Sequence, residues 1–146
     1  MNVELKKFRP HEDLSEETLA FSAQIWIDGK MSGHVRNRGC GGSHDYGFTD
    51  PETREALEAH ARQVPGEKFE ELDELIDWMI AKLEEARIVK ANRQKGLPVT
   101  VLIQKGAYEV NGKTFYRDEY YVGITDLKFV EALANKQKAD KHRVVS

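Results

Sequence analysis

Apolar and polar residues alternate through "LAFSAQIWI", where Leu19, Phe21, Ala23, Ile25 and Ile27 share one face. This is the two-residue period of a half-buried strand. "DG" at Asp28 and Gly29 turns the chain, and "MSGHVRNRG" returns as a second strand. A strict two-residue turn sets Ile27 opposite Lys30 and apolar residues against charged ones. A shift of one pairs Ile27 with Met31, Ala23 with Val35 and Phe21 with Asn37. The apolar faces then match, so the pattern predicts a bulged turn with Phe21, Ile25 and Val35 in the core. The other face carries Ser22, Gln24 and Trp26 across from Ser32, His34 and Arg36, and is polar but for the Trp.

Residues 1–16 are polar and read as a loose lead-in. "TDPETREALEAHARQV" predicts a helix capped by Thr49 or Asp50, with Pro51 in its first turn. "PG" at Pro65 and Gly66 ends it. Phe69, Leu72, Ile76, Met79, Leu83 and Ala86 then recur at helical spacing. They predict a long helix over about 68–94 that buries Leu72, Ile76, Met79 and Leu83 and stops near Gly96. "LPVTVLI" reads as a third strand, "VNGKTF" as a second hairpin turn and "YRDEYYVGIT" as a fourth strand. "DLKFVEALANKQ" is a last helix capped by Thr125 or Asp126, and 138–146 read as a frayed tail. The order β-β-α-α-β-β-α predicts an α+β fold over 1–146. A single small domain is expected, with an antiparallel or mixed sheet and helices packed on one face.

A chain of 146 residues suits one domain and can bury a core without staples. The net charge of −3 is unevenly spread: 52–85 hold eleven acids against four bases, and 86–117 hold seven bases against one acid. The overall balance argues against general nucleic-acid binding. The asymmetry allows a local basic patch for a phosphate-bearing ligand, or two solvated helix faces. The acidic region 67–85 is interrupted by Lys68 and Lys82, and reads as a solvated face rather than a mimic of nucleic-acid phosphates. Cys40 is the one cysteine, which excludes an internal disulfide and suits a reducing cytoplasm. No apolar run approaches the ~20 residues of a membrane span. The N-terminal stretch lacks the apolar core of a signal peptide. A soluble, cytoplasmic protein is expected, with a homo-oligomer left open.

Chemistry concentrates in "NRGCGGSHDYGF", Asn37 to Phe48, with four glycines in twelve residues. Strand, glycines, then helix is an order found at anion sites, where successive backbone N–H groups point at a phosphate. A following helix start adds donors and partial positive charge. This stretch is neither a phosphate-binding P-loop, since no Lys-Ser/Thr follows, nor a dinucleotide fingerprint, since a hairpin precedes it. A turn that needs positive φ at two or three places explains it equally well.

"SEETLAFSAQIWIDGK" followed by "NRGCGG" resembles a family of small uncharacterised phage and prophage proteins. Its members pair an F-x-A-x-[IV]-x-[IV]-[DN]-G-K strand and turn with a downstream N-x-G-x-G-G. Phe21, Ala23, Ile25, Ile27, Asp28, Gly29 and Lys30 carry the first motif, and Asn37, Gly39, Gly41 and Gly42 the second. The family often has Asp after that Asn, where this chain has Arg38. The resemblance covers roughly 16–46 and implies a phage origin and a small α+β domain. It implies no particular activity.

Candidate ligand-binding residues are Arg36, Asn37, Arg38, Gly39, Gly41, Gly42, Ser43, His44 and Tyr46, with Trp26 for stacking. Asn37 can tie the loop back through its amide. Arg36 or Arg38 supplies charge to an anion. His34, Cys40, His44 and Asp45 are too irregularly spaced for a zinc site, and no metal or cofactor is expected. Cys40 with His44 as base has no positioning partner, and an ordinary loop Cys is expected. His44 with Tyr46 and Arg36 could serve phosphodiester cleavage, although a loop His is more often a binding contact. Trp26, Tyr46, Phe48, Tyr116, Tyr120 and Tyr121 could stack on bases, or pack the sheet.

Three functions follow. The first is a phage accessory protein that binds a phosphate-bearing small molecule and sequesters a cyclic or modified nucleotide immune signal of the host. The second is a phosphodiesterase-type enzyme that degrades such a signal, with His44 catalytic. The third is an inhibitor that binds a host defence protein, its glycine loop purely structural. Binding is favoured over catalysis.

Overall fold

A computed structural model describes residues 1–15, 18–64 and 69–146. The expected helix stop at Pro65 and Gly66 lies outside the described residues, as do Glu16 and Glu17. The chain is α+β, with three helices and two antiparallel sheets. It forms two compact units, Met1–Ala81 and Lys82–Ser146. Instead of one continuous sheet, each unit has its own.

In the first unit the strands β1 (Val3–Pro10), β2 (Phe21–Ile27), β3 (Lys30–Asn37) and β4 (Asp45–Phe48) lie in chain order, each antiparallel to the next. The lead-in over 1–16 is therefore not loose. Leu5 is the one buried side chain among its described residues, too sparse a signal to read as a strand, yet β1 pairs with β2 from Val3↔Ile27 to Pro10↔Phe21. The hairpin register is as expected at its far end, where Phe21 faces Asn37 and Ala23 faces Val35. At the turn it differs, because Ile27 pairs with Lys30 and not with Met31. Asp28 and Gly29 both take positive φ, 51° and 79°, the tight turn that matches strand twist. The extra residue is absorbed at Ser32, between the pairs Ile25↔Gly33 and Trp26↔Met31. There the Ser32 carbonyl accepts from the Thr49 N–H (3.1 Å) and hydroxyl (3.2 Å), just ahead of the next helix.

Helix α1 (Pro51–Ala61) begins as read: the Asp50 carboxylate accepts from the Thr53 N–H (2.8 Å), and Pro51 fills the first turn. Helix α2 (Leu72–Gln94) follows. Phe21, Ala23, Ile25, Val35, Leu57, Phe69, Leu72, Leu75, Ile76 and Ile80 form the core of the first unit. The buried stripe of α2 thus turns toward Leu75 and Ile80. Met79 is only half-buried, and Leu83, expected inside, is 38% exposed.

The second unit is built on β5 (Val99–Val110) and β6 (Lys113–Ile124), joined at Asn111–Gly112, with φ 52° and 78°. The ladder keeps one register from Val99↔Ile124 to Val110↔Lys113, with no pair at Gly106, whose φ is 68°. Asp126 caps a short 3-10 turn that leads into α3 (Val130–Gln137). Val99, Val101, Ile103 and Val130 form this unit's core, with Tyr120, Val122, Ile124 and Leu133 packed against it. Residues 138–146, expected to fray, include β7 (Lys141–Val144), which pairs with β5 over Val101–Gln104.

Candidate functional site

The alternation of β3 and β4 sorts the candidate residues onto two faces. Val35↔Tyr46 lies on the core side, and Arg36↔Asp45 on the other. Asn37, His44 and Tyr46 therefore turn inward with Phe21 and Val35. Arg36 faces away, 3.9 Å from Asp45. Trp26 also lies on that outer face. Lys6 covers its ring at 4.0 Å, and its indole N–H donates to Gln24 (3.0 Å). Arg36 and Trp26 thus stay apart from His44 and Tyr46, and Arg38 is exposed at the strand's end. His34 and Asp45 lie on the outer face too. Among the described residues no group of three or more His, Cys, Asp or Glu could hold a metal. Cys40 is exposed.

Asn37 organises the loop. Its side-chain oxygen accepts from the Gly39 N–H (2.8 Å) and the Thr18 hydroxyl (3.1 Å). Its amide nitrogen donates to the Gly42 carbonyl (3.3 Å) and faces His44 Nδ1 at 3.0 Å. The Gly41 N–H donates to Thr18 (3.3 Å), and the Thr18 N–H donates to the Gly39 carbonyl. Two of the expected phosphate donors, at Gly39 and Gly41, are thus consumed inside the loop. Gly39, Gly41 and Gly42 all have φ between 83° and 89°, the left-handed region that favours glycine. At Gly39 there is a second reason: a Cβ would meet the Leu14 carbonyl at 2.6 Å.

His44 is held on every side. Its side chain is 9% exposed, and the Phe21 ring packs edge-on at 5.0 Å. Because an Asn amide nitrogen can only donate, His44 Nδ1 is an acceptor and the proton sits on Nε2. That proton is donated to Asp77 at 2.7 Å. The His44 backbone N–H donates to one oxygen of Asp73 (3.0 Å), and the Tyr46 hydroxyl to the other (2.5 Å). Burial lowers the His44 pKa, but the Asp77 hydrogen bond and the charges of Asp77, Asp73 and Asp45 raise it more, for a net rise above 6.5. Burial raises the Tyr46 phenol as well, reinforced by its bond to Asp73. Tyr46 is stacked on Phe48 at 5.7 Å, with the Arg54 guanidinium 5.3 Å from its ring.

A cleft of about 300 Å3 opens beside this cluster. Ser43, His44 and Tyr46 form one wall, Arg54 and Glu58 of α1 with Arg62 at its C-terminal cap another, and Glu70 to Asp73 the third. Arg54 is paired with Glu58 at 2.9 Å, while Arg62 makes no ion pair among the described residues. Asp73, Asp77, Arg54 and Arg62 were not singled out from the sequence. Asp73 and Asp77 sit four apart on α2, beside the apolar Leu72, Ile76 and Trp78. That spacing is the one signal that could have marked them as facing something polar.

Comparison with protein-family models, with curated proteins and with solved structures finds no match.

Proposed function

We propose that this chain acts by binding, and that its ligand is a phosphate-bearing small molecule of nucleotide type held in the cleft beside Tyr46 and Asp73. The observation that carries this reading is the mixed charge of the lining. Arg54 stands on α1 and Arg62 just past its end, and Glu70, Glu71 and Asp73 stand opposite. The acids outnumber the arginines, so a bare phosphate is poorly served. A nucleotide offers both halves: a phosphate for the guanidinium groups, and ribose or base donors for the carboxylates. The volume lies at the small end of the range for ligand pockets.

Binding is favoured over phosphodiester cleavage because both ring nitrogens of His44 are engaged, one by Asn37 and one by Asp77. A general acid or base needs a free nitrogen within reach of substrate. With the phage resemblance, the role this supports is sequestration of a cyclic or modified nucleotide signal of the host.

The test incubates the protein with a panel of cyclic and linear nucleotides and follows thermal unfolding. A ligand present at 100 times its Kd adds about 2.7 kcal/mol. Arg62→Ala should remove that gain, and chromatography of the denatured complex should return intact ligand. Cleaved products would favour the enzyme, and no stabilisation by any nucleotide would reject the reading. In that case inhibition of a host protein takes its place. One observation favours it: Tyr108 and Phe115 stack at 5.8 Å on the β5–β6 ladder and are exposed, as is Val110.

A further inference from the structure

We infer that Asn37 and His44 form a proton-operated latch on the glycine loop: closed when His44 is neutral, released when Nδ1 takes up a proton. This holds whatever the cleft binds.

Donors and acceptors around the ring set the two states. The Asn37 oxygen is fixed by the Gly39 N–H and the Thr18 hydroxyl, so its NH2 group must face His44 Nδ1. A neutral ring with its proton on Nε2 satisfies both Asn37 and Asp77. A proton taken from solvent onto Nδ1 sets N–H against NH2, and the 3.0 Å contact can no longer be a hydrogen bond. The relief available is rotation of the Asn37 amide. Its oxygen then accepts from the imidazolium, and its nitrogen turns toward Gly39 and Thr18. The Thr18 hydroxyl can reverse its role. The Gly39 N–H cannot, and the Gly42 carbonyl loses its donor. Two of the loop's ties break together.

The surroundings make the proton accessible. From α2, Asp77 and Asp73 face the ring; from β4, Asp45 adds a third negative charge and Tyr46 a neutral phenol; from β2 comes only Phe21, and from β3 only Asn37. Arg36 is paired with Asp45 and Arg54 with Glu58, while Arg62 stands across the cleft from the ring. The carboxylates thus favour the charged ring while one amide forbids it, the opposition that makes a two-state element.

The experiment is amide hydrogen exchange by NMR on the full chain from pH 5 to 8.5, corrected for intrinsic exchange, alongside the 15N shifts of the His44 ring. In the wild type the Gly39 amide should lose at least tenfold of its protection as His44 becomes charged. The neutral ring should carry its proton on Nε2. His44→Gln, whose amide can accept from Asn37 and donate to Asp77 without titrating, should hold Gly39 protection constant with pH. Asn37→Asp should keep Gly39 protected while His44 is charged. Gly39 protection that stays level through the His44 titration would overturn the latch, as would a neutral ring with its proton on Nδ1. Both readings come from the wild type and stand even if a variant does not fold.

Discussion

Asn37 holds Thr18, Gly39, Gly42 and His44 with a single amide. Its neighbours should therefore differ sharply in what they tolerate. Gly39→Ala must place a Cβ against the Leu14 carbonyl and also accept φ of 83°. Gly42→Ala meets nothing within 4 Å and bears only the backbone strain of φ 89°, about 1–2 kcal/mol. Urea denaturation should show the larger loss at Gly39, and equal losses would mean that the loop does not pack on Leu14. The sign for His44 follows from its raised pKa: folding binds the proton, so this stabilisation is complete below about pH 6.5 and fades as pH rises through the folded value. Wild type should lead His44→Gln by more at pH 6 than at pH 8.5 in urea melts. Local protection of the loop and global stability thus move in opposite senses with pH. The carboxylates hold the charged ring while the Asn37 amide gives way. At this scale the sequence pointed to Asn37, His44 and Tyr46, since glycines with a polar residue at a strand's end mark a braced loop. It could not show that Arg36 and Trp26 face away, because that depends on strand parity. Nor could it show that the loop's partners stand at Asp73 and Asp77, 29 and 33 residues beyond His44.

Helix α2 shows where periodicity misleads. Leu72, Ile76 and Leu83 fit one stripe on the page, but the buried set is Leu72, Leu75, Ile76 and Ile80. Leu83 belongs by spacing to the stripe and by position to the second unit, where it is exposed. Ile76→Ala should therefore cost about 2–5 kcal/mol, and Leu83→Ala less than about 1 kcal/mol. Equal losses in chemical denaturation would restore the single stripe. The hairpins were legible because "DG" and "NG" announce positive φ. The short strands β4 and β7 were not, because four residues hold too few alternations to stand out from a loop. The bulge at Ser32 escaped for a related reason. Matching apolar faces demands one extra residue somewhere in the hairpin, and face matching alone does not say where. The Thr49 contacts hold it at Ser32.

Across the whole molecule the two apolar clusters share no residue: one centres on Ile25 and Ile76, the other on Val101 and Ile103. Ile25→Ala and Ile103→Ala should each cost about 2–5 kcal/mol in chemical denaturation, and a loss below about 1 kcal/mol at either would mean that its cluster is not a packed core. No helix among the described residues is long and apolar enough to cross a membrane. The single register of the β5–β6 ladder also has a consequence in time. Its tight turn brings Val110 against Lys113 with only two residues between them, and the later pairs close in sequence from it with one position, Gly106, skipped. Hairpins assemble in about 1–10 μs. β7 must instead find Val101–Gln104 from across the intervening chain, a closure that carries more entropy. Folding of this unit therefore has a preferred beginning at Asn111–Gly112 and a preferred end at β7. A chain interrupted before β7 forms would still hold most of its strand pairing, with one edge of β5 open to whatever strand arrives first.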